Sequence, residues 1–120
     1  MVGIDIIEVE RVEYSDGFMS KIANPSEIDY INKSPCQSLR HQRLASLFCI
    51  KEAVLKALGT GASEGIGFKD IELNHEPSGK PFVELHRKAL EKFNLLFQDK
   101  KIEVSISHTE KYATAIAVIL

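Results

Sequence analysis

Asp5, Lys51, Glu52, Lys56 and His108 are the side chains of this 120-residue sequence whose types and surroundings could do chemistry. Asp5 interrupts a β-branched stretch between Ile4 and Ile6, a setting in which aspartate is disfavoured. Glu52 and Lys56 are four residues apart in a segment of helical spacing, so they lie side by side on one shoulder of a helix, while Lys51 falls within its apolar stripe. Two readings of this group are open. In one, Glu52 and Lys56 form a solvated pair worth roughly 0.2 to 0.5 kcal/mol, and Lys51 extends its ammonium to water along an apolar stem. In the other, the shoulder lines a cleft where Glu52 holds a cation, the lysines meet phosphate oxygens, and Gly59-Thr60-Gly61 offers bare backbone N–H groups. The second reading requires another carboxylate and an anionic substrate. His108 ends an alternating stretch, where a side chain can project into a site or simply cap and satisfy the local backbone.

The elements that must hold these residues follow from periodicity. Val2 to Val9 reads as a strand with Asp5 directed away from the face that carries the isoleucines. Val9 to Ile22 has roughly helical spacing, broken or loosened near Gly17. Asn24-Pro25-Ser26-Glu27 combines an N-cap, a first-turn proline and a reach-back glutamate, which predicts a short helix to about Asn32. Ser34-Pro35-Cys36-Gln37 repeats the pattern and opens a long helix, with a start near Ser38 as the alternative. Its apolar stripe is Leu44, Leu47, Phe48, Val54, Leu55 and Leu58, and Gly59 ends it. Phe68 to Leu73 and Pro81 to Leu85 form a hairpin about the Pro77-Ser78-Gly79-Lys80 turn, and His86 to Gln98 returns to helix. Ile102, Val104 and Ile106 alternate with polar residues, and the nearly continuous apolar run from Ala113 to Leu120 predicts a strand buried on both faces or in an interface. Helices and hairpins without regular strand-helix alternation give an α+β fold, a long central helix packed with short antiparallel strands.

Composition bounds the rest. With 44% hydrophobic and 27% charged residues, the chain suits one domain over residues 1–120. A net charge of -2 argues against bulk attraction to nucleic acid or membrane, so an anionic partner must be met by a local basic patch. Cys36 and Cys49 lie apart, without zinc-ligand spacing or a disulfide framework. No leader-like or membrane-spanning stretch is legible, so a cytoplasmic protein is expected.

Three segments carry a family resemblance: Gly3-Ile4-Asp5-Ile6 with Glu8 and Arg11; Lys51-Glu52-Ala53 with Lys56-Ala57 and Gly59-Thr60-Gly61; and Ser105-Ile106-Ser107-His108 with Tyr112-Ala113. In order and spacing they resemble the holo-acyl-carrier-protein synthases, small bacterial 4'-phosphopantetheinyl transferases, over essentially the whole chain. The resemblance implies that the 4'-phosphopantetheine arm of coenzyme A passes to a serine of acyl carrier protein, in support of fatty acid synthesis, with adenosine 3',5'-bisphosphate as the other product. It implies Mg2+ held by the carboxylates of Asp5 and Glu52, a hard ion that needs only one or two protein oxygens beside phosphates and water. Lys56 would stabilise or protonate the leaving phosphate, and Glu52 or a water on the metal would take the serine proton. Coenzyme A would meet Lys56, Gly59, Thr60, Gly61, Pro81, His108 and Thr109, Arg11 would meet the acidic recognition helix of the carrier protein, and the assembly would be a homotrimer with sites between subunits. One departure is visible: relatives usually read Gly-Arg-Phe where this chain has Ser46-Leu47-Phe48, and Arg43, one helical turn earlier, is positioned to substitute. Two alternatives remain open: transfer to another carrier domain, or a non-catalytic module that binds a nucleotide or partner.

Overall fold

In the computed structural model, which describes residues 1–59 and 64–120, a 22-residue helix forms the axis about which everything else packs. The elements run β1 (Val2–Glu8), α1 (Asp16–Ile22), α2 (Pro25–Asn32), α3 (Gln37–Leu58), β2 (Ile71–His75), β3 (Pro81–Leu85), α4 (Arg87–Leu96), β4 (Ile102–His108) and β5 (Tyr112–Ile119). Short 3-10 turns at Val9–Arg11 and Phe68–Asp70 complete the chain. β1, β5 and β4 form an antiparallel sheet in that order, and β2 and β3 form a separate hairpin.

The sheet meets α3 through very small side chains. Its inward face carries Gly3 on β1 with Ala113, Ala115 and Ala117 on β5, all buried, and α3 answers with Ala45, Cys49, Ala53 and Ala57 at four-residue intervals. Small residues let the helix backbone approach the strands closely, so α3 is buried on its sheet side as well as on its large apolar side. The apolar stripe read from the sequence is therefore only part of its buried surface, because α3 also packs against α2 and β2 and meets α1 through Phe48 and Lys51.

Local chemistry explains the element boundaries. Ser15 caps α1 by accepting from the N–H of Phe18, so the break falls before the helix and Gly17 lies inside it, not at the interruption predicted there. Glu27 reaches back to the N–H of Asn24 at 2.7 Å, as its position three residues after an N-cap predicts. The second cap differs from expectation. Cys36 occupies the N-cap of α3, while Ser34 is buried with its hydroxyl unpaired among the described residues. Gly59 ends α3 at φ 73°, a left-handed conformation suited to glycine. Of the stretch read as a strand from Phe68 to Leu73, the first three residues form a 3-10 turn and only the remainder is strand.

β1 alternates as predicted, but its faces are assigned the other way round. Asp5 points inward with Gly3, whereas Ile4 and Ile6 are 61% and 68% exposed on the outer face. A close backbone contact between β1 and α3 at Gly3 leaves no room for a side chain there, while Ile7 further along the same face packs against the core. β5 likewise buries one face, while Thr114, Ile116 and Val118 on the other are half-exposed in this chain.

Candidate active site

β1 and α3 bring Asp5, Glu52 and Lys56 together from opposite ends of the first half of the chain. The Lys56 ammonium donates to Asp5 Oδ1 at 3.1 Å and to the carbonyl of Ile4 at 3.0 Å. The solvated Glu52–Lys56 pair that helical spacing allows is thus replaced by a tertiary pair to Asp5. Glu52 is half-buried on the same side of α3, and its carboxyl pKa is raised by burial and by the neighbouring Asp5 charge, against the pull of Lys56. The buried thiol of Cys49 approaches the other Asp5 oxygen at 3.6 Å and the carbonyl of Ala113 at 3.5 Å; burial and the Asp5 charge push its pKa to about 12, so it stays a thiol. Asp5 and Glu52 are thus close enough for the Asp5 charge to be felt at Glu52, and the Lys56 ammonium rests on Asp5.

Some of the other sequence-selected residues meet at a cavity of about 160 Å³ on the flank of α3. Pro81 and His108 line it with Tyr30, Arg43, Leu47 and His75, whereas Asp5, Glu52 and Lys56 do not. Arg43 lies with its guanidinium carbon 4.2 Å from the Tyr30 ring centroid and donates to the Tyr30 carbonyl at 2.7 Å. Tyr30 in turn stacks on His75 with centroids 4.4 Å apart. Burial, with the Arg43 charge, lowers the His75 pKa, which favours a neutral imidazole in the stack. His108 Nδ1 sits 2.8 Å from Gln42 Oε1, which fixes the ring at the end of β4. A cation, stacked rings and an oriented imidazole suit a flat base and an anionic group.

Lys51 fits neither reading made from the sequence. Its ammonium is fully buried and donates to Ile22 O at 2.6 Å, Glu27 Oε1 at 2.8 Å and Phe68 O at 3.0 Å, which uses all three protons. Burial lowers its pKa against the attraction of Glu27, whose second oxygen accepts from the Leu73 N–H at 2.7 Å. One ion pair thereby ties α3 to the end of α1, the start of α2 and β2, next in sequence to Glu52.

Of the remaining candidates, Gly59 caps α3, while Thr60 and Gly61 lie outside the described residues. Thr109 uses its hydroxyl to accept from the N–H groups of Lys111 and Tyr112 in the β4–β5 turn and does not line the cavity. The Arg11 side chain is 75% exposed, with Glu8 3.6 Å away.

A family model described as the 4'-phosphopantetheinyl transferase superfamily matches residues 1–117. The chain belongs to that superfamily. Among its relatives, the holo-acyl-carrier-protein synthase of Fusobacterium nucleatum is 40% identical over 126 positions, spanning 99% of this chain and 97% of that protein. The Clostridium tetani synthase is 41% identical across 98% of this chain and 93% of its own. The solved structure of the Helicobacter pylori synthase in complex with coenzyme A superposes with a TM-score of 0.82 at 28% identity and full coverage of both chains. That of the Bacillus anthracis synthase in complex with CoA (3',5'-ADP) gives 0.79 at 32% identity, covering 98% and 93%.

For this phosphopantetheinyl transferase, the sequence reading missed Tyr30, Gln42 and His75, because Tyr30 and His75 meet only where α2 approaches the β2–β3 hairpin, and Gln42 meets His108 only where α3 approaches β4. It also gave no sign of the cluster of Glu72, Glu84 and His86 on that hairpin. There His86 Nε2 lies 2.9 Å from Glu72 Oε1, Ser26 donates to the other Glu72 oxygen, and Asn74 donates to Glu84. The cluster lies on the β2–β3 side of the chain and includes neither Asp5 nor Glu52.

Proposed function

We propose that this transferase moves the 4'-phosphopantetheine arm of coenzyme A to a serine of apo-acyl carrier protein, giving holo-carrier protein and adenosine 3',5'-bisphosphate, in the cytoplasm and in support of fatty acid synthesis. The observation that carries this reading is the end-to-end similarity to holo-acyl-carrier-protein synthases, including two solved with coenzyme A.

Asp5 and Glu52 fit Mg2+. Both are hard oxygen donors, and the Glu52 pKa, raised by burial and then by the Asp5 charge, reflects a crowding of negative charge that a divalent cation would relieve. The chemistry such an ion supplies is polarisation of the diphosphate and neutralisation of charge on the leaving group. Lys56, whose side chain is 53% exposed, can reach outward to that leaving phosphate. Glu52 would be the carboxylate placed to take the serine proton. Arg43, Tyr30, His75, Pro81 and His108 would hold the adenosine bisphosphate end, with Arg43 supplying the positive charge absent at Leu47. Gly59, Thr60, Gly61 and Thr109 are further coenzyme A contacts in this proposal, and Arg11 is the carrier-protein contact.

The proposal includes a homotrimer with sites between subunits. Two features favour it: the cavity and the carboxylate pair are separate parts of one chain, and Val2, Ile4 and Ile6 form an exposed apolar row beside Ile116 and Val118. Mass spectrometry of apo-acyl carrier protein incubated with enzyme, coenzyme A and Mg2+ tests the activity. Gain of one phosphopantetheine arm is expected, and it should be nearly abolished by Asp5→Asn or Glu52→Gln. No gain with any apo-carrier domain would refute the assignment, and gain on a peptide carrier domain alone would redirect it.

A further inference from the structure

We propose that Lys56 occupies the cation position on Asp5 until the metal is loaded, so that metal entry and delivery of the Lys56 ammonium to the diphosphate are coupled. The inference rests on the reading of Asp5 and Glu52 as metal ligands. It starts from an asymmetry in the Asp5–Lys56 pair. Asp5 is fixed: its side chain is 18% exposed, one oxygen lies against the Cys49 thiol, and its backbone carbonyl accepts from Thr114 Oγ1 at 2.9 Å within the sheet. Lys56 is the movable partner, 53% exposed on a flexible stem, with its ammonium held by Asp5 Oδ1 and the Ile4 carbonyl.

Divalent magnesium binds carboxylate oxygen at about 2.0 to 2.1 Å, and an ammonium 3.1 Å from the same oxygen would oppose it by charge and by crowding. The two cations therefore compete for Asp5 Oδ1. With a metal held by Asp5, Lys56 would lose its charged intramolecular partner and become available to the anionic diphosphate. By linkage, an anion that draws Lys56 away tightens metal binding by the same factor. Lys56 thus weakens metal binding in the free enzyme while assisting the loaded one.

The test is Mn2+ binding without coenzyme A, followed by calorimetry and by the electron paramagnetic resonance signal of free Mn2+, for wild type, Lys56→Met, Lys56→Gln and Asp5→Asn. Both Lys56 variants should bind Mn2+ about two- to fivefold more tightly than wild type, the range set by an exposed ion pair, although their turnover falls. Asp5→Asn should bind it much more weakly. If Asp5→Asn leaves the affinity unchanged, the metal reading itself fails. If Asp5→Asn weakens binding while neither Lys56 variant tightens it, the metal reading stands and the competition is overturned.

Discussion

Gly3 of β1 lies directly against the carbonyl of Ala53 in α3: a Cβ on Gly3 would stand 1.9 Å from that oxygen and 2.6 Å from the Ala57 nitrogen. Gly3 is two residues from Asp5 on the same face of its strand, and Ala53 follows Glu52. The contact therefore sets the spacing of the two carboxylates. Gly3→Ala must push the helix from the strand, since neither obstacle is a flexible side chain. Overpacking of this kind costs about 1 to 3 kcal/mol or more. Urea denaturation should show that loss, and transfer should fall further than stability alone explains. Wild-type turnover in a folded Gly3→Ala protein would contradict the role of this contact.

Lys51→Met should be among the most destabilising single changes in α3. It leaves Glu27 buried without its cation and strips donors from the Ile22 and Phe68 carbonyls. Removing one member of a buried pair costs about 3 to 5 kcal/mol. The measurement is the urea midpoint at constant slope; a change within experimental scatter would show that Glu27 finds another partner.

The pH dependence of stability should report on Glu52. Its folded-state pKa is raised above the ordinary value of 4.5, so the folded chain holds this proton more tightly than the unfolded one. The stability from that proton is fully present below the ordinary value and is lost as pH rises through the folded value. Glu52→Gln should therefore gain stability over wild type as pH rises from 4 to 7, measured without metal by thermal melting. A gap that stays constant or narrows over this range would show that burial and the Asp5 charge do not raise the Glu52 pKa.

Assembly should depend on the outer sheet face. Ile4 and Ile116 are cross-strand partners there, with Ile4 61% exposed in the single chain. Ile4→Asp or Ile116→Asp would place an unpaired charge in the proposed interface and should split the trimer or unfold it. Sedimentation of an active wild-type monomer would remove the basis for shared sites.

Carrier docking should show itself through salt. Arg11 faces solvent with Glu8 as a weak neighbour, so its contribution to an acidic partner would be mainly steering and rim pairing. Arg11→Glu should raise the Michaelis constant for carrier protein several-fold at low salt and less at high salt, leaving that for coenzyme A nearly unchanged. Equal effects on both substrates, or none, would return Arg11 to the solvated surface.

Much of this protein was determined locally and could be read from its residues. The start of α2 follows from Asn24, Pro25 and Glu27, the end of α3 from Gly59, and the alternation of β4 from Ile102, Val104 and Ile106. The three motif segments likewise identified the family, because their order and spacing lie in the sequence itself. Which side of β1 is the core, what Lys51 does and whom Lys56 pairs with were decided only by tertiary structure. Alternation separates Asp5 from Ile4 and Ile6 but cannot say which face is buried; the backbone contact at Gly3 decides that. A lysine in an apolar stripe is ambiguous until carbonyls from α1 and the Phe68 turn, with the Glu27 carboxylate, converge on it from three distant segments. Helical spacing makes Glu52 the near neighbour of Lys56, yet Asp5, 51 residues away in sequence, accepts its hydrogen bond because β1 lies along α3. Periodicity describes each element's own surface, whereas the partners of a charged group depend on which surfaces the fold brings together.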